Sequence, residues 1–267
     1  MSNADTVIAA IRTGYDRLAD LVKKFDDDAL AGPSAATEWD IAQVLSHLGS
    51  GAEIMTNTLQ LALDGKPPAD GAEKEQQSNQ TVWARWNAAS RREQADGFIE
   101  WNDKLVALYE SLNAEQRVDL RVELGWLPEP VDVATIGRMR LNEVTFHSWD
   151  VRSALDPKAT LDAAAIPEML QNTGNLSWIT KPAELNGQTA VLAVATTDPA
   201  TAFTLRLADP VTIDEDPADQ PDGSLTLPTE AWLRLYAGRL AADRTPDSVK
   251  ITGSIDLDTL RKVFAGY

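Results

Sequence analysis

Residues 138–155 read RMRLNEVTFHSWDVRSAL, and this stretch decides the fold of the first half of the chain. Arg140, Glu143, His147 and Asp150 follow one another at steps of three, four and three, which on an α-helix places them along one face. Ile136, Met139, Val144 and Val151 lie beside that stripe and would carry it into an interior. The helix is predicted to run from about Val133 to Leu155, where Asp156-Pro157 ends it.

Working outward towards the N-terminus, Ile8, Ile11, Tyr15, Leu18, Val22 and Phe25 recur at three- and four-residue steps, the stripe of a first amphipathic helix ending before Gly32-Pro33-Ser34. A second helix is expected from Asp40, which can cap it with Gln43 three residues on, and Ile41, Val44, Leu45 and Leu48 give it an apolar face. Gly49-Ser50-Gly51 reads as its end or a kink. Residues 64–73, DGKPPADGAE, read as a loop, followed by one long helical tract from about Glu75 to Leu112. Segment 118–131, with Gly125, Pro128 and Pro130, reads as a surface excursion. Four long helical tracts with loops between them predict an antiparallel bundle over residues 1–157.

Beyond residue 157 the periodicity changes. Residues 161–180 are compatible with helix, but Thr189–Thr197, Ala202–Ala208 and Val211–Glu215 are β-rich runs bounded by Gly187, Asp198-Pro199 and Asp209-Pro210. A short strand at Ser224–Leu227, a helix from Thr229 to about Ala242, a strand at Val249–Thr252 and a helix from Asp256 to Ala265 complete the pattern. The fold class is therefore α+β: the bundle, then a smaller α/β domain over residues 158–267, with the boundary somewhere in 156–185.

Composition bounds the function. The chain has 267 residues with 24 Lys+Arg against 41 Asp+Glu, a formal net charge of −17, which repels phosphate backbones and argues against nucleic acid and anionic membrane as partners. It contains no Cys, which removes disulfides, thiolate nucleophiles and cysteine metal sites together, so any thiol chemistry needs an external thiol. No stretch approaches the roughly 18 uninterrupted apolar residues of a membrane span, and the first residues lack the basic and apolar regions of a signal peptide, so the chain is read as cytoplasmic.

Only two histidines are present, His47 and His147, each inside a predicted bundle helix. Two histidines and one carboxylate form the ligand set of many catalytic zinc sites, where a fourth position stays open to water or substrate, and bundle cores hold metals through side chains on facing helices. With 41 acids in 267 residues, an acid four positions before a given His arises by chance roughly 15% of the time, so spacing alone leaves a surface ion pair and a metal site both open. Asp150, three residues after His147, is placed to orient that ring rather than to bind an ion.

EWDIAQVLSHLG, Glu38–Gly49, followed about 90 residues later by LNEVTFHSWDVRSAL, Leu141–Leu155, resembles the mycothiol-dependent maleylpyruvate isomerase family of DinB-like metalloproteins. In that family a Trp-led helix ends in Ala/Ser-His-Leu and a later helix carries Glu-x-x-x-His-x-Trp-Asp. Trp39 and His47 stand in the first motif here, and Glu143, His147, Trp149 and Asp150 in the second. The resemblance implies a DinB-like four-helix bundle holding a divalent metal, usually zinc, through His47, Glu143 and His147. It also implies a C-terminal domain similar to sterol carrier proteins, fitted by WLRLYAGRL and VKITGSIDLDTLRKVF.

The activity implied is that of an enzyme with mycothiol, the low-molecular-weight thiol of actinobacteria, as cosubstrate, acting as an isomerase or S-transferase on a small organic substrate, as a monomer or homodimer. A thiol at the metal's open position is deprotonated by the ion's charge, and for maleylpyruvate its addition to the conjugated double bond leaves a single bond free to rotate before elimination. Maleylpyruvate is a dianion that needs guanidinium partners, for which Arg85, Arg140 and Arg239 are the candidates, Arg140 sharing the metal stripe. Of the eight Trp, the pair Trp83/Trp86, one helical turn apart, is the one placed to wall a pocket. Two other readings stand beside this one: a non-catalytic ligand-binding or stress-associated protein with a structural metal closed by Asp150 or another carboxylate, and a hydrolase using a metal-bound water with Asp150 as base.

Overall fold

In the computed structural model, which describes residues 3–67, 72–172 and 176–266, the first apolar stripe folds as α1 (Asn3–Val22), burying Val7, Ile8, Ile11, Tyr15, Leu18 and Val22. A single turn, α2 (Asp27–Leu30), follows, capped by Asp26. The next loop is closed by a β-bridge between Pro33 and Asp40, and Ser34 Oγ donates to the Ala36 and Trp39 carbonyls at 3.1 and 2.8 Å. Asp40 then opens α3 (Ile41–Leu63) with both halves of the expected capping box present: its carboxylate accepts from Gln43 N, and Gln43 Oε1 accepts from Asp40 N. Such reciprocal bonds satisfy two helix-end donors that would otherwise lack partners.

Gly49-Ser50-Gly51 does not end this helix. α3 runs on to a terminus at Gly65, which adopts φ +63°, the left-handed conformation glycine takes without steric cost. The glycine at position 49 serves packing instead: a Cβ there would lie 2.3 Å from Trp86 Cη2. The loop read at 64–73 is borne out at its start by Asp64–Pro67; residues 68–71 lie outside the described residues, and α4 (Ala72–Ala88) follows. The tract expected from Glu75 to Leu112 is two helices. Ser90 interrupts it by capping α5 (Arg91–Ser111) in a box with Glu93.

The excursion at 118–131 contains the end of α6 (Ala114–Asp119) and a small antiparallel ladder between β1 (Arg121–Val122) and β2 (Val131–Asp132). Asp132 then caps α7 (Val133–Leu155) by accepting from Thr135 N at 2.7 Å. α1 packs against α5 and α7, and α3 against the same two, closing a four-helix bundle, with α4 against α3. No helix among the described residues is long and apolar enough to cross a membrane.

The chain divides into two compact units, Met1–Glu168 and Met169–Tyr267. The division falls past the Asp156-Pro157 stop because the next segment stays tied to the bundle. Trp149 Nε1 donates to the Ala159 carbonyl, Arg17 pairs with Asp162, and Arg138 and Thr6 both reach Glu168. Residues 161–180 do not form one helix; they are broken into α8 (Ile166–Met169) and short 3₁₀ turns.

The second unit is built on a five-stranded sheet of β3 (Ala190–Thr197), β4 (Thr201–Leu207), β5 (Thr212–Asp214), β6 (Gly223–Pro228) and β7 (Lys250–Thr252). Its order is β5-β4-β3-β6-β7, with β3 and β6 parallel and the other pairs antiparallel. Alternate residues of β3, from Ala190 through Leu192 and Val194 to Thr196, are buried, the period of a strand with one covered face. Against β3 and β6 packs α9 (Thr229–Tyr236), whose Trp232 meets Phe203 and Phe264 at ring distances of 4.9 and 5.6 Å. α9 stops at Tyr236 rather than Ala242 because Gly238 turns the chain at φ +70°. α10 (Leu257–Val263) closes the unit, capped by Asp256.

Candidate metal centre

Four residues apart on α7, Glu143 and His147 present their side chains one above the other, and His47 arrives from α3, with which α7 packs. His47 Nε2 donates to Glu143 Oε2 at 2.7 Å, and His147 Nε2 lies 3.6 Å from the same oxygen. One ligand atom from each of the three lies within 4.8 Å of the other two, and among the described residues no fourth His, Asp or Glu joins them. Asp150 is fully buried and lies on the far side of His147, where its Oδ2 accepts from Nδ1 at 2.8 Å. That bond assigns the proton to Nδ1 and turns the Nε2 lone pair towards Glu143, the arrangement of a metal-binding histidine oriented by a carboxylate.

Trp39 covers the histidine rings. Its indole stacks on His147 with centroids 5.8 Å apart and lies 5.2 Å from His47. The Ser34 bonds and the Pro33–Asp40 bridge hold the loop that delivers it.

Electrostatics set Glu143 and His147 in ligating states. Burial alone would raise the Glu143 carboxyl, but the His47 hydrogen bond and the charges of His147, His47 and Arg140 outweigh it and draw its pKa to about 2. Burial pulls His147 below the ordinary histidine range despite the opposing pull of Asp150 and Glu143, so the ring is neutral at neutral pH. An ionised Glu143 and a neutral His147 ring, converging with His47 and partly open to solvent, fit a divalent cation with room for a further ligand.

Of the three arginines expected as substrate partners, Arg140 and Arg85 stand in the bundle, and both are committed to partners there. Arg140 shares the stripe, but that face is the bundle interior. The side chain is 2% exposed, its Nη2 donates to the Leu48 carbonyl and to Asn102 Oδ1, and its Nε is buried without a partner. Burial lowers its pKa to about 10. Arg85 reaches out to a buried acceptor on the neighbouring helix, pairing with Glu53, whose other oxygen accepts from Trp86 Nε1 at 2.7 Å. Arg239 belongs to the second unit, where its Nη1 donates to the Ala237 carbonyl at 3.1 Å.

Beside His47 opens a cleft of about 590 Å³ between Trp39 and Trp83, with Gln43, Ser50, Asn87 and Gln94 completing its lining. The Trp83/Trp86 pair therefore divides: Trp83 walls the cleft, while Trp86 is buried in a notch between Gly49 and Gly97. Sequence pattern does not mark these polar residues as one set. Gln43, His47 and Ser50 do follow one another at steps of four and three along α3, but Asn87 and Gln94 come from helices whose approach only the fold reveals.

The family described as the mycothiol maleylpyruvate isomerase N-terminal domain matches residues 11–152, more than half the chain and inclusive of His47, Glu143, His147 and Asp150. The chain is similar to the crystal structure of the mycothiol-dependent maleylpyruvate isomerase at 15% identity, and to that of a histidine-to-alanine mutant of it at 14%. In both cases the TM-score is 0.62 and 95% of each chain is covered, a likeness of fold. Comparison with curated proteins gives no match.

Proposed function

Since the chain belongs to the mycothiol maleylpyruvate isomerase N-terminal domain family, we propose that it is a metal-dependent enzyme using a low-molecular-weight thiol, of the mycothiol kind, to isomerise or modify a small unsaturated organic acid of the maleylpyruvate class. The observation that carries this reading is the convergence of His47, Glu143 and His147 with Asp150 behind His147. Those three side chains would hold the ion, which we take to be zinc from the donor set of two imidazoles and a carboxylate. When bound, a divalent cation supplies the positive charge that makes an adjoining thiol a thiolate at neutral pH.

The protein's own groups prepare that chemistry. Asp150 holds the proton on His147 Nδ1 and keeps Nε2 free of it. Glu143 stays ionised across the working pH range. Trp39 shields one side of both rings from water. No cysteine is present to compete with the external thiol. The thiolate adds to one alkene carbon as the electron pair moves to the conjugated carbonyl; rotation and expulsion of the thiolate then restore the double bond in the trans form, with no net redox change.

The same geometry weighs against the two other readings. Asp150 faces Nδ1, the ring nitrogen away from Glu143, so it does not close the site as a fourth ligand. Fully buried and already accepting a proton bond, it is also not placed as a base for a bound water.

The test is thiol-dependent turnover of maleylpyruvate by wild type, His47→Ala and His147→Ala, with metal content measured in parallel. Both variants should lose the ion and the activity together. Turnover that needs neither added thiol nor His147 would defeat the proposal.

A further inference from the structure

Glu143 and His147 sit on α7 and His47 on α3, yet these two helices lean mainly on others: α3 lies chiefly against α5, and α7 chiefly against α1. The separation of His47 from the other two side chains therefore depends on whatever ties α3 to α7 directly. Arg140 is such a tie. Its Nη2 donates at 2.7 Å to the carbonyl of Leu48, the residue after His47 on α3, and also to Asn102 Oδ1 on α5. Asn102 is oriented for this, because its Nδ2 donates to the Phe98 carbonyl at 2.8 Å and so turns Oδ1 towards the guanidinium. Gly51, three residues beyond Leu48, gives the side chain room, since a Cβ there would lie 3.0 Å from Arg140 Nη1. Three helices thus meet on one side chain that stands one helical turn before Glu143. Packing alone does not call for an arginine at this point. A guanidinium is unfavourable to desolvate, both acceptors are uncharged, and Nε is buried without a partner among the described residues. Glu143, the carboxylate one turn on, bonds to His47 instead.

We infer that Arg140 is a positioning residue: it fixes the separation of α3 and α7, so that the ligand atoms of His47, Glu143 and His147 stand close together before any ion arrives. The inference rests on the reading of those three residues as a metal site, and adds to it the group that sets their spacing. Arg140 acts through the Leu48 carbonyl on the geometry of the ligands, where the sequence had suggested a carboxylate partner. A site already assembled binds more tightly than one in which two helices must first be drawn together, because that ordering is subtracted from the affinity. The charge of Arg140 works the other way, since a cation close by repels a divalent ion. Removing the side chain therefore separates the two roles: loss of the tie weakens metal binding, and loss of the charge alone strengthens it.

The test compares full-length wild type, Arg140→Met and Arg140→Lys, each stripped by a chelator and titrated with Co²⁺, with circular dichroism to check folding. Arg140→Met removes the bonds and the charge. Arg140→Lys keeps the charge, but its ammonium stops short of the guanidinium's end and lacks the planar fork; it decides the question if the Met variant does not fold. Affinity, from competition with a chromophoric chelator, should fall about tenfold or more in Arg140→Met, the scale typical of groups that hold metal ligands in place, and by less in Arg140→Lys. At saturating Co²⁺ the visible absorption bands, which report coordination geometry, should change in both. In chelated Arg140→Lys the His47 ring signals should move by NMR, because the helix spacing changes with no ion present. Glu53→Ala, which takes the acceptor from Trp86 Nε1 on another side of α3, is the control and should leave affinity and bands as in wild type. Tighter binding by Arg140→Met overturns the inference, since charge then dominates. So do affinity, bands and ring signals equal to wild type in the folded variants, or an equal loss in Glu53→Ala, the mark of a general structural role. Wild type that takes up no divalent ion defeats the metal reading and this inference with it, whereas normal uptake with indifferent Arg140 variants removes this inference alone.

Discussion

Replacing Asp150 with Asn isolates the contribution of one charge to the candidate centre. The side chain is fully buried, and its Oδ2 accepts the His147 Nδ1 proton at 2.8 Å. A hydrogen bond to a charged group contributes about 1.5–3 kcal/mol net, and a neutral one, which Asn can still make through its carbonyl, about 0.5–1.5 kcal/mol. The difference, about 1–2 kcal/mol, corresponds to roughly 5- to 30-fold weaker metal binding, within reach of the range typical of groups that orient metal-binding histidines. The assay is competition with a chromophoric chelator, run on wild type, Asp150→Asn, His147→Ala and the double variant. Removing the imidazole removes the group through which Asp150 acts, so in the His147→Ala background Asp150→Asn should change affinity by less than about twofold. An equal loss in both backgrounds, or none in either, refutes the reasoning. A second readout follows from the same contact. Asp150 raises the pKa of His147 against burial, so in chelated protein Asp150→Asn should lower the pH at which the His147 ring signals titrate by NMR.

Three other outcomes follow. Gly49→Ala puts a methyl 2.3 Å from Trp86 Cη2 and should cost about 1–3 kcal/mol of overpacking, seen as a melting temperature several degrees lower; an unchanged melt means that the notch is not tight. Glu53→Ala leaves the Trp86 N–H without its acceptor and should cost about 1–3 kcal/mol in denaturant unfolding, whereas Arg85→Ala, at a side chain 60% exposed, should cost less than about 1 kcal/mol and leave KM unchanged. A tenfold rise in KM would restore Arg85 as a substrate partner. In chelated protein Glu143 has a folded pKa of about 2 against an ordinary 4.5, so it stabilises the fold fully above pH 4.5 and loses that contribution as pH falls towards 2. With a third of the side chain meeting water, the amount is about 2 kcal/mol or less. Glu143→Gln should flatten the stability profile over that interval, and a profile as steep as the wild type's would contradict the assignment.

Much of the fold is legible in local signals, and what is not has identifiable causes. The cap of α3 and the end of α7 follow from Asp40, Gln43 and Asp156-Pro157 because those signals act within four residues. The break at Ser90 was equally local, a Ser with Glu93 three residues on, but the run of helix-favouring residues around it masks the signal. Gly49-Ser50-Gly51 reads as a stop when only the chain is in view; the reason for glycine lies on another helix, in Trp86. The metal stripe was legible because its period is that of the helix. Arg140 shares that stripe, but α3 and α5 close over it through Leu48 and Asn102, and the stripe alone does not reveal that packing. The cleft's polar residues come from three helices, and the parallel pairing of β3 with β6 joins segments that no local pattern connects.

Trp86 carries a consequence beyond packing. Trp83 and Asn87, which form one side of the cleft, stand three residues before and one residue after it on α4, while its own ring sits in the notch between Gly49 and Gly97. The depth at which that ring seats sets the spacing between α4 and the helix bearing His47. The caliper of the groove is therefore held by two glycines that touch no ligand, and a drift at either one would retune which molecules fit while every residue facing the groove stayed the same.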